Sequence, residues 1–322
     1  MFRKLLAAIG GITLVSGLAV AEGVKLPRPD VPEDLVLPRS EVTVLDSTMS
    51  YIESGSGAPV LFLHGNPTSA YLWRNVLPIV GESHRALAVD LIGMGASGKP
   101  DIAYSFDDHA RYLDAFIDAM GWESVVLVGH DWGATLAWDF AARHPERVQA
   151  IAFMEGVLPP AFPLLSYEAI GEAGAALKAL RTPQTGEAMV FEQNMFVEQM
   201  LPGFVNRTLG AKAMAAYRAP FENPSDRLPT LQWPRELPIA GVPEQNVQVM
   251  DRIAGHMTGS DMPKLLIYVE PGVATPAQAV GWYKSSLPEL ETVFVGQGLH
   301  FFQEDHPRAI GLAIQDWLRR NR

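Results

Sequence analysis

The chain has 322 residues, 48% hydrophobic and 19% charged, a composition that excludes disordered, collagen-like and low-complexity architectures and leaves enough apolar side chains for a large core. It has no cysteine, which excludes disulfides, thiol nucleophiles, thiolate zinc sites and iron–sulfur clusters. The formal charge is −11, and Arg319, Arg320 and Arg322 form the only basic cluster beyond the N-terminus, so nucleic acid is not an expected partner.

Arg3 and Lys4 open the chain, Leu5–Leu18 is an uncharged apolar run, and Ala19-Val20-Ala21 supplies the small residues a signal peptidase accepts. The run spans 14 residues, against the roughly 20 of a membrane-spanning helix. Residues 1–21 are therefore expected to be an export signal, with an uncleaved anchor as the alternative. An exported, acidic, cysteine-free protein suits a bacterial periplasm or the medium, and no later segment is apolar for long enough to span a bilayer.

From Val24 to Ser40 the chain is Pro-rich and acidic, and reads as an extended lead-in. Apolar, β-branched runs then predict strands at Val60–His64, Arg85–Leu91, Ser124–Val128, Val148–Met154, Lys264–Val269 and Glu291–Gly296. Between them, helical spacing predicts helices at Asp107–Met120, capped by Asp107 or Asp108, at Gly133–Arg143 and at Pro307–Arg319. Strand–helix alternation of this kind means a mostly parallel sheet with helices on both faces. From about Gly156 to Asp261 the pattern changes to Ala-, Glu- and Met-rich helical stretches (Ser166–Arg181, Ala188–Met200, Gly210–Tyr217) broken by prolines. The expected organisation is a core of residues 22–155 and 262–322 with a helical cap, residues 156–261, inserted over the C-terminal edge of the sheet.

The chemistry concentrates at Gly129-His130-Asp131-Trp132-Gly133, which follows a buried strand and opens a helix. This is the form of a nucleophile elbow, whose small residues permit a strained turn that exposes the central side chain. That side chain is Asp131, and the amides of the following helix favour its ionised form. A carboxylate nucleophile makes an alkyl ester by displacement at carbon and disfavours acyl-serine peptidase or lipase chemistry. The ester then needs a base to activate water, an acid to orient that base, and donors for the leaving group and oxyanion. His300, in Gly298-Leu299-His300-Phe301 after the last strand, is the base candidate, since triad order in this fold puts the His last. Five of the eight histidines, His84, His109, His144, His256 and His306, sit in helix or loop contexts and are expected to be solvated. His64 and His130 are expected to be structural. Two acids are open: Glu155, at the end of Val148–Met154, is preferred over Glu270, which ends Lys264–Val269 and precedes Pro271.

Taken together, His64-Gly65-Asn66-Pro67, Asp90-Leu91-Ile92-Gly93-Met94-Gly95-Ala96-Ser97, Gly129-His130-Asp131-Trp132-Gly133, Met154-Glu155 and Gly298-Leu299-His300-Phe301-Phe302-Gln303-Glu304-Asp305 resemble the haloalkane dehalogenases, in particular the subfamily with an Asp–His–Glu triad. The similarity runs from about Val42 to Leu318. It implies an α/β-hydrolase fold with Asp131 as nucleophile, Glu155 as acid and His300 as base. It also implies halide binding by the Asn66 amide and the Trp132 indole, and an oxyanion hole from the backbone N–H groups of Asn66 and Trp132. Leu177, Phe196, Pro220 and Phe301 match pocket positions, though each also suits plain packing. The implied reactants are a halogenated alkane and water, giving alcohol, halide and a proton, without metal or organic cofactor. Two departures stand out: the expected export signal is not the family's usual cytoplasmic start, and Val269-Glu270-Pro271-Gly272 puts a second carboxylate near the site; Ala274 is also small for its position. The rival reading is an epoxide hydrolase with the same fold and nucleophile, for which Tyr167 and Tyr217 are the available cap acids.

Overall fold

A computed structural model describes residues 31–321; the expected export signal lies outside the described residues. Eight strands form one sheet: β1 (Arg39–Val44), β2 (Ser47–Ser54), β3 (Pro59–Leu63), β4 (Arg85–Val89), β5 (Val125–His130), β6 (Val148–Met154), β7 (Lys264–Pro271) and β8 (Leu290–Gly298). Their order is β1-β2-β4-β3-β5-β6-β7-β8, antiparallel through β1, β2 and β4 and parallel from there on. The centre of the sheet is apolar on both faces because helices cover both. Every residue of β5 is buried, as is every residue of β6 except Gln149. Each Val, Leu or Phe taken from water there contributes about 1.5–3 kcal/mol.

The longer helices are α1 (Phe106–Ala119), α2 (Trp132–Arg143), α3 (Glu172–Arg181), α4 (Ala211–Arg218), α5 (Leu228–Glu236), α6 (Glu244–Gly259), α7 (Ala277–Ser286) and α8 (Pro307–Arg320). The cap of α1 is Ser105, two residues before the expected range, in a capping box with Asp108; Ser at this place satisfies an end amide and is worth about 1 kcal/mol. The β1–β2 hairpin is absent from the expected strands. Its residues alternate with polar ones and β1 is half exposed at the sheet edge, so no apolar run marks it. Helices α5, α6 and α7 also lie outside the expected set. The stretch expected as cap, residues 156–261, contains α6, which packs on the core helix α2 and sends Arg252 to the buried Asp139. Within the same stretch the expected helix Ala188–Met200 is two π-helical turns, Ala188–Glu192 and Phe196–Met200, separated at Asn194.

Parallel order brings the C-terminal ends of β3, β5, β6, β7 and β8 to one edge of the sheet, and the loops leaving those ends carry the site.

Candidate active site

Asp131 occupies the turn between β5 and α2 with φ 53° and ψ −127°, a conformation that costs a residue with a side chain about 1–3 kcal/mol. The surroundings hold it there. A Cβ on Gly133 would stand 2.3 Å from the Leu63 carbonyl, and one on Gly65 would stand 2.3 Å from Asp131 Oδ2. Glycine at both places is what lets the β3 loop close over the carboxylate. The Asn66 backbone N–H donates to Oδ2 at 2.8 Å, leaving Oδ1 as the less engaged oxygen. Burial disfavours the Asp131 anion, but the nearby His300 and His130 rings and the Asn66 backbone N–H outweigh it and hold the carboxyl below its usual range.

His300 sits on the irregular loop after β8, with Nε2 3.6 Å from Asp131 Oδ1 and Nδ1 3.1 Å from Glu155 Oε2. Burial again opposes the charged form; the nearby Asp131 carboxylate and the hydrogen-bonded Glu155 carboxylate prevail and push the imidazole up to about 9. Glu155 is 2% exposed and has φ 44°, the bend at which the chain leaves β6. Its carboxylate accepts the backbone N–H groups of Val273 (2.9 Å), Ala274 (2.8 Å) and Thr275 (3.0 Å). The loop after β7 thus contributes a cradle of amides for Glu155. Glu270 itself is exposed on β7, and of the two acids Glu155 makes the bond to His300.

Three further anchors place the His300 loop. His130 Nε2–H donates to the His300 carbonyl at 2.8 Å, Phe301 N–H donates to Phe204 O at 3.1 Å, and Asp305 accepts the amides of Asn206 and Arg207. Beside them the buried Glu304 pairs with Arg74, at 2.6 and 2.9 Å, with Arg207, and with the Tyr217 hydroxyl at 2.5 Å. Removing Glu304 would leave the buried Arg74 charge uncompensated, at a cost of about 3–5 kcal/mol.

The halide-donor candidates meet a cap helix. Asn66 Nδ2 donates to the Thr230 carbonyl on α5 at 3.4 Å, and the Trp132 indole stacks on Trp233 of α5 at 4.7 Å. That contact settles the Asn66 amide with its hydrogen-bearing end toward the cap. His109 stacks on the other face of Trp233 at 4.2 Å. Among the pocket candidates, Phe301 touches the His300 ring at 4.7 Å, whereas Phe196 packs with Leu180, Val190, Met195 and Leu231. Leu177 is half-buried on α3, and Pro220 is half-buried, its carbonyl accepting from Lys99 at 2.6 Å.

Of the histidines expected to be solvated, His84 and His109 are buried, His109 with both ring nitrogens unpartnered. A helix position says nothing about which face it lies on, and burial pushes His109 down to about 3, so it is a neutral ring in an aromatic stack. His64 links two loops, accepting Leu91 N–H at Nε2 and meeting Gly65 O at Nδ1. Sequence reasoning left out Thr230, Trp233 and Glu304; Glu304 was visible in the His300 motif, but nothing marked it as buried.

A family model described as alpha/beta hydrolase fold matches residues 58–307. Curated haloalkane dehalogenases are similar along nearly the whole chain. The one from Mesorhizobium japonicum is 46% identical, covering 90% of this chain and 94% of its own, and the one from Sphingobium indicum is 44% identical, covering 85% and 93%. Among solved structures, the haloalkane dehalogenase DbeA from Bradyrhizobium elkani superposes with a TM-score of 0.85 at 44% identity, covering 88% of this chain and 98% of that one. With an aspartate at the elbow and a Glu-held imidazole beside it, the chain belongs to the haloalkane dehalogenases of the α/β-hydrolase fold.

Proposed function

We propose that hydrolytic dehalogenation, the activity of this family, runs in this chain through a covalent ester on Asp131. Asp131 Oδ1 attacks the halogen-bearing carbon; a carbon–oxygen bond forms as the carbon–halogen bond breaks, and the halide leaves toward the Asn66 amide and the Trp132 indole N–H. A soft anion departing in an apolar site is best served by neutral donors, which both groups are. His300 Nε2, oriented by Glu155 at Nδ1, then takes a proton from water, whose oxygen attacks the ester carbon Cγ. Negative charge collects on Oδ2, where the Asn66 backbone N–H already points, and the Trp132 N–H at the start of α2 is the second donor. The imidazolium returns its proton as the alcohol leaves, and the net products are alcohol, halide and a proton.

The observation that carries this reading is the line of contacts Asp131–His300–Glu155 at a strained elbow turn. The epoxide hydrolase reading needs a cap tyrosine free to protonate an epoxide oxygen. Tyr167 is instead engaged by Arg181 at 2.9 Å, and Tyr217, fully buried, donates to Glu304 at 2.5 Å. The test is a panel of haloalkanes and epoxides: equal amounts of halide and alcohol support the reading, while diol from epoxides without halide release overturns it. The charge pattern of residues 1–21 supports export with removal of that segment, and intact mass of the secreted protein still starting at Met1 would contradict it.

A further inference from the structure

The Pro-rich lead-in, which the reaction does not use, crosses from the core to the cap. Its backbone is fastened to the core: the Pro32 carbonyl accepts from Arg74 Nε at 3.1 Å and from Asn75 Nδ2 at 2.8 Å, and the Glu33 carbonyl accepts from the Tyr71 hydroxyl at 2.5 Å. The Glu33 carboxylate faces the cap, accepting the Gly210 N–H at 2.8 Å and the Ala213 N–H at 3.2 Å, at the start of α4. Helix α4 has no side-chain cap of its own, since Gly210 stands at that place, and a Cβ there would lie 2.4 Å from Glu33 Oε2. The cap is supplied instead from 177 residues away in sequence, and an acidic group suits the positive end of the helix. Glu33 also stands 3.5 Å from Arg207 Nη1. Arg74 and Arg207 are both buried with the single carboxylate of Glu304 between them, so Glu33 is the charge that balances the pair. Partial burial disfavours its anion, yet the Gly210 and Ala213 amides and Arg207 hold it below the usual carboxylate range.

We propose that Glu33 is a positioning residue for ester hydrolysis: it steadies Arg207, and Arg207 holds the loop that carries His300. Arg207 reaches that loop through its own N–H to Asp305 at 2.9 Å, through Nε to the Glu304 carbonyl and through Nη2 to the Glu304 carboxylate. Its remaining end, Nη1, meets Glu33. A planar guanidinium engaged at both ends is fixed in orientation, where one engaged at a single end can swing. His300 needs a fixed place because Nε2 must meet a water beside the Asp131 ester, and a small misplacement there is costly. Halide departure makes no use of a proton on the imidazole, so it should be indifferent to Glu33. The inference rests on the reading of His300 as the base.

The test uses the full chain with Glu33→Gln, with Glu33→Ala, and with Glu33→Ala combined with Gly210→Ser, reading the halide burst and ester hydrolysis separately in single turnovers. Glutamine keeps an oxygen for the α4 amides but brings no charge to Arg207. Both single variants should slow ester hydrolysis about twofold to fivefold, the worth of a partly exposed ion pair, and leave the burst unchanged. Glu33→Ala should also lower the melting temperature by about 2–4 °C. Gly210→Ser in that background gives α4 a local cap and should restore the melting temperature while hydrolysis stays slow. Three results overturn the role of Glu33: hydrolysis at its original rate in Glu33→Gln, hydrolysis that recovers when Gly210→Ser is added, or a burst slowed by the same factor as hydrolysis. If His300→Phe turns over repeatedly, the base assignment itself falls, and the inference with it.

Discussion

The sheet side and the cap side of this active site are held by different means. On the sheet side, Asp131, Glu155 and His300 stand at strand ends, and backbone groups fix them: Asn66 N–H on Asp131, three amides on Glu155, the His300 carbonyl on His130. On the cap side, Asn66 and Trp132 lean on a short helix interrupted by proline, through one carbonyl and one ring face. Backbone cradles are stiff and indifferent to side-chain identity, whereas the cap contacts are few and change with one residue. On the proposed mechanism the two half-reactions have separate supports: ester hydrolysis depends on the sheet, halide departure on the cap.

Asp131→Asn breaks the comparison outright, since both half-reactions pass through that carboxylate. Halide release should fall by about 10⁴-fold or more, because the amide is a poor nucleophile; halide-ion assays on a preparation free of deamidation check this. Glu155→Gln should act on the sheet side alone. The imidazole stays but loses its charged partner, so ester hydrolysis should slow by about 10²- to 10⁴-fold with the halide burst intact. Glu270→Gln, on the exposed end of β7, should leave both rates near their original values. If instead Glu270→Gln stalls hydrolysis and Glu155→Gln does not, the acid is Glu270.

Trp132→Leu is the complementary change. It removes one leaving-group donor, so halide affinity and the burst rate should drop by about 10- to 100-fold, followed by rapid mixing, while hydrolysis of the ester once formed is less affected.

The two regions were unequally legible in the sequence. Strands β5 and β6 read directly because burial on both faces writes an unbroken apolar run, and the elbow reads because its glycines have steric work to do. Glu155 was open against Glu270, since both end a strand. Only the fold shows that the turn after Glu270 serves Glu155 with its amides, and amides carry no residue identity. The cap was legible as helical and little more. Helix α6 buries Asn246, Val249, Met250, Ile253 and Met257 at helical spacing amid polar residues.

A smaller effect concerns pH. His300 is pushed up to about 9 in the free enzyme, with the Asp131 carboxylate a main cause. Its ion pair therefore contributes stability that is fully present below the ordinary value of 6.5 and is lost as pH rises through about 9. Alkylation turns Asp131 into a neutral ester and removes that cause, while burial remains. The imidazole should then titrate lower in the intermediate, freeing it as a base near neutrality. Single-turnover ester hydrolysis should reach half its maximum at a pH below the His300 titration seen by NMR in the free enzyme; coincidence of the two would remove Asp131 as the cause.

The most direct test of separate supports is His300→Phe mixed with excess haloalkane. Phenylalanine keeps the ring shape and cannot accept a proton, so the first step should proceed and the second should not. The account predicts about one halide released per enzyme, then a stall, with a mass increase equal to the substrate's alkyl group on the peptide containing Asp131. Sustained multiple turnover, or neither burst nor adduct, would contradict it.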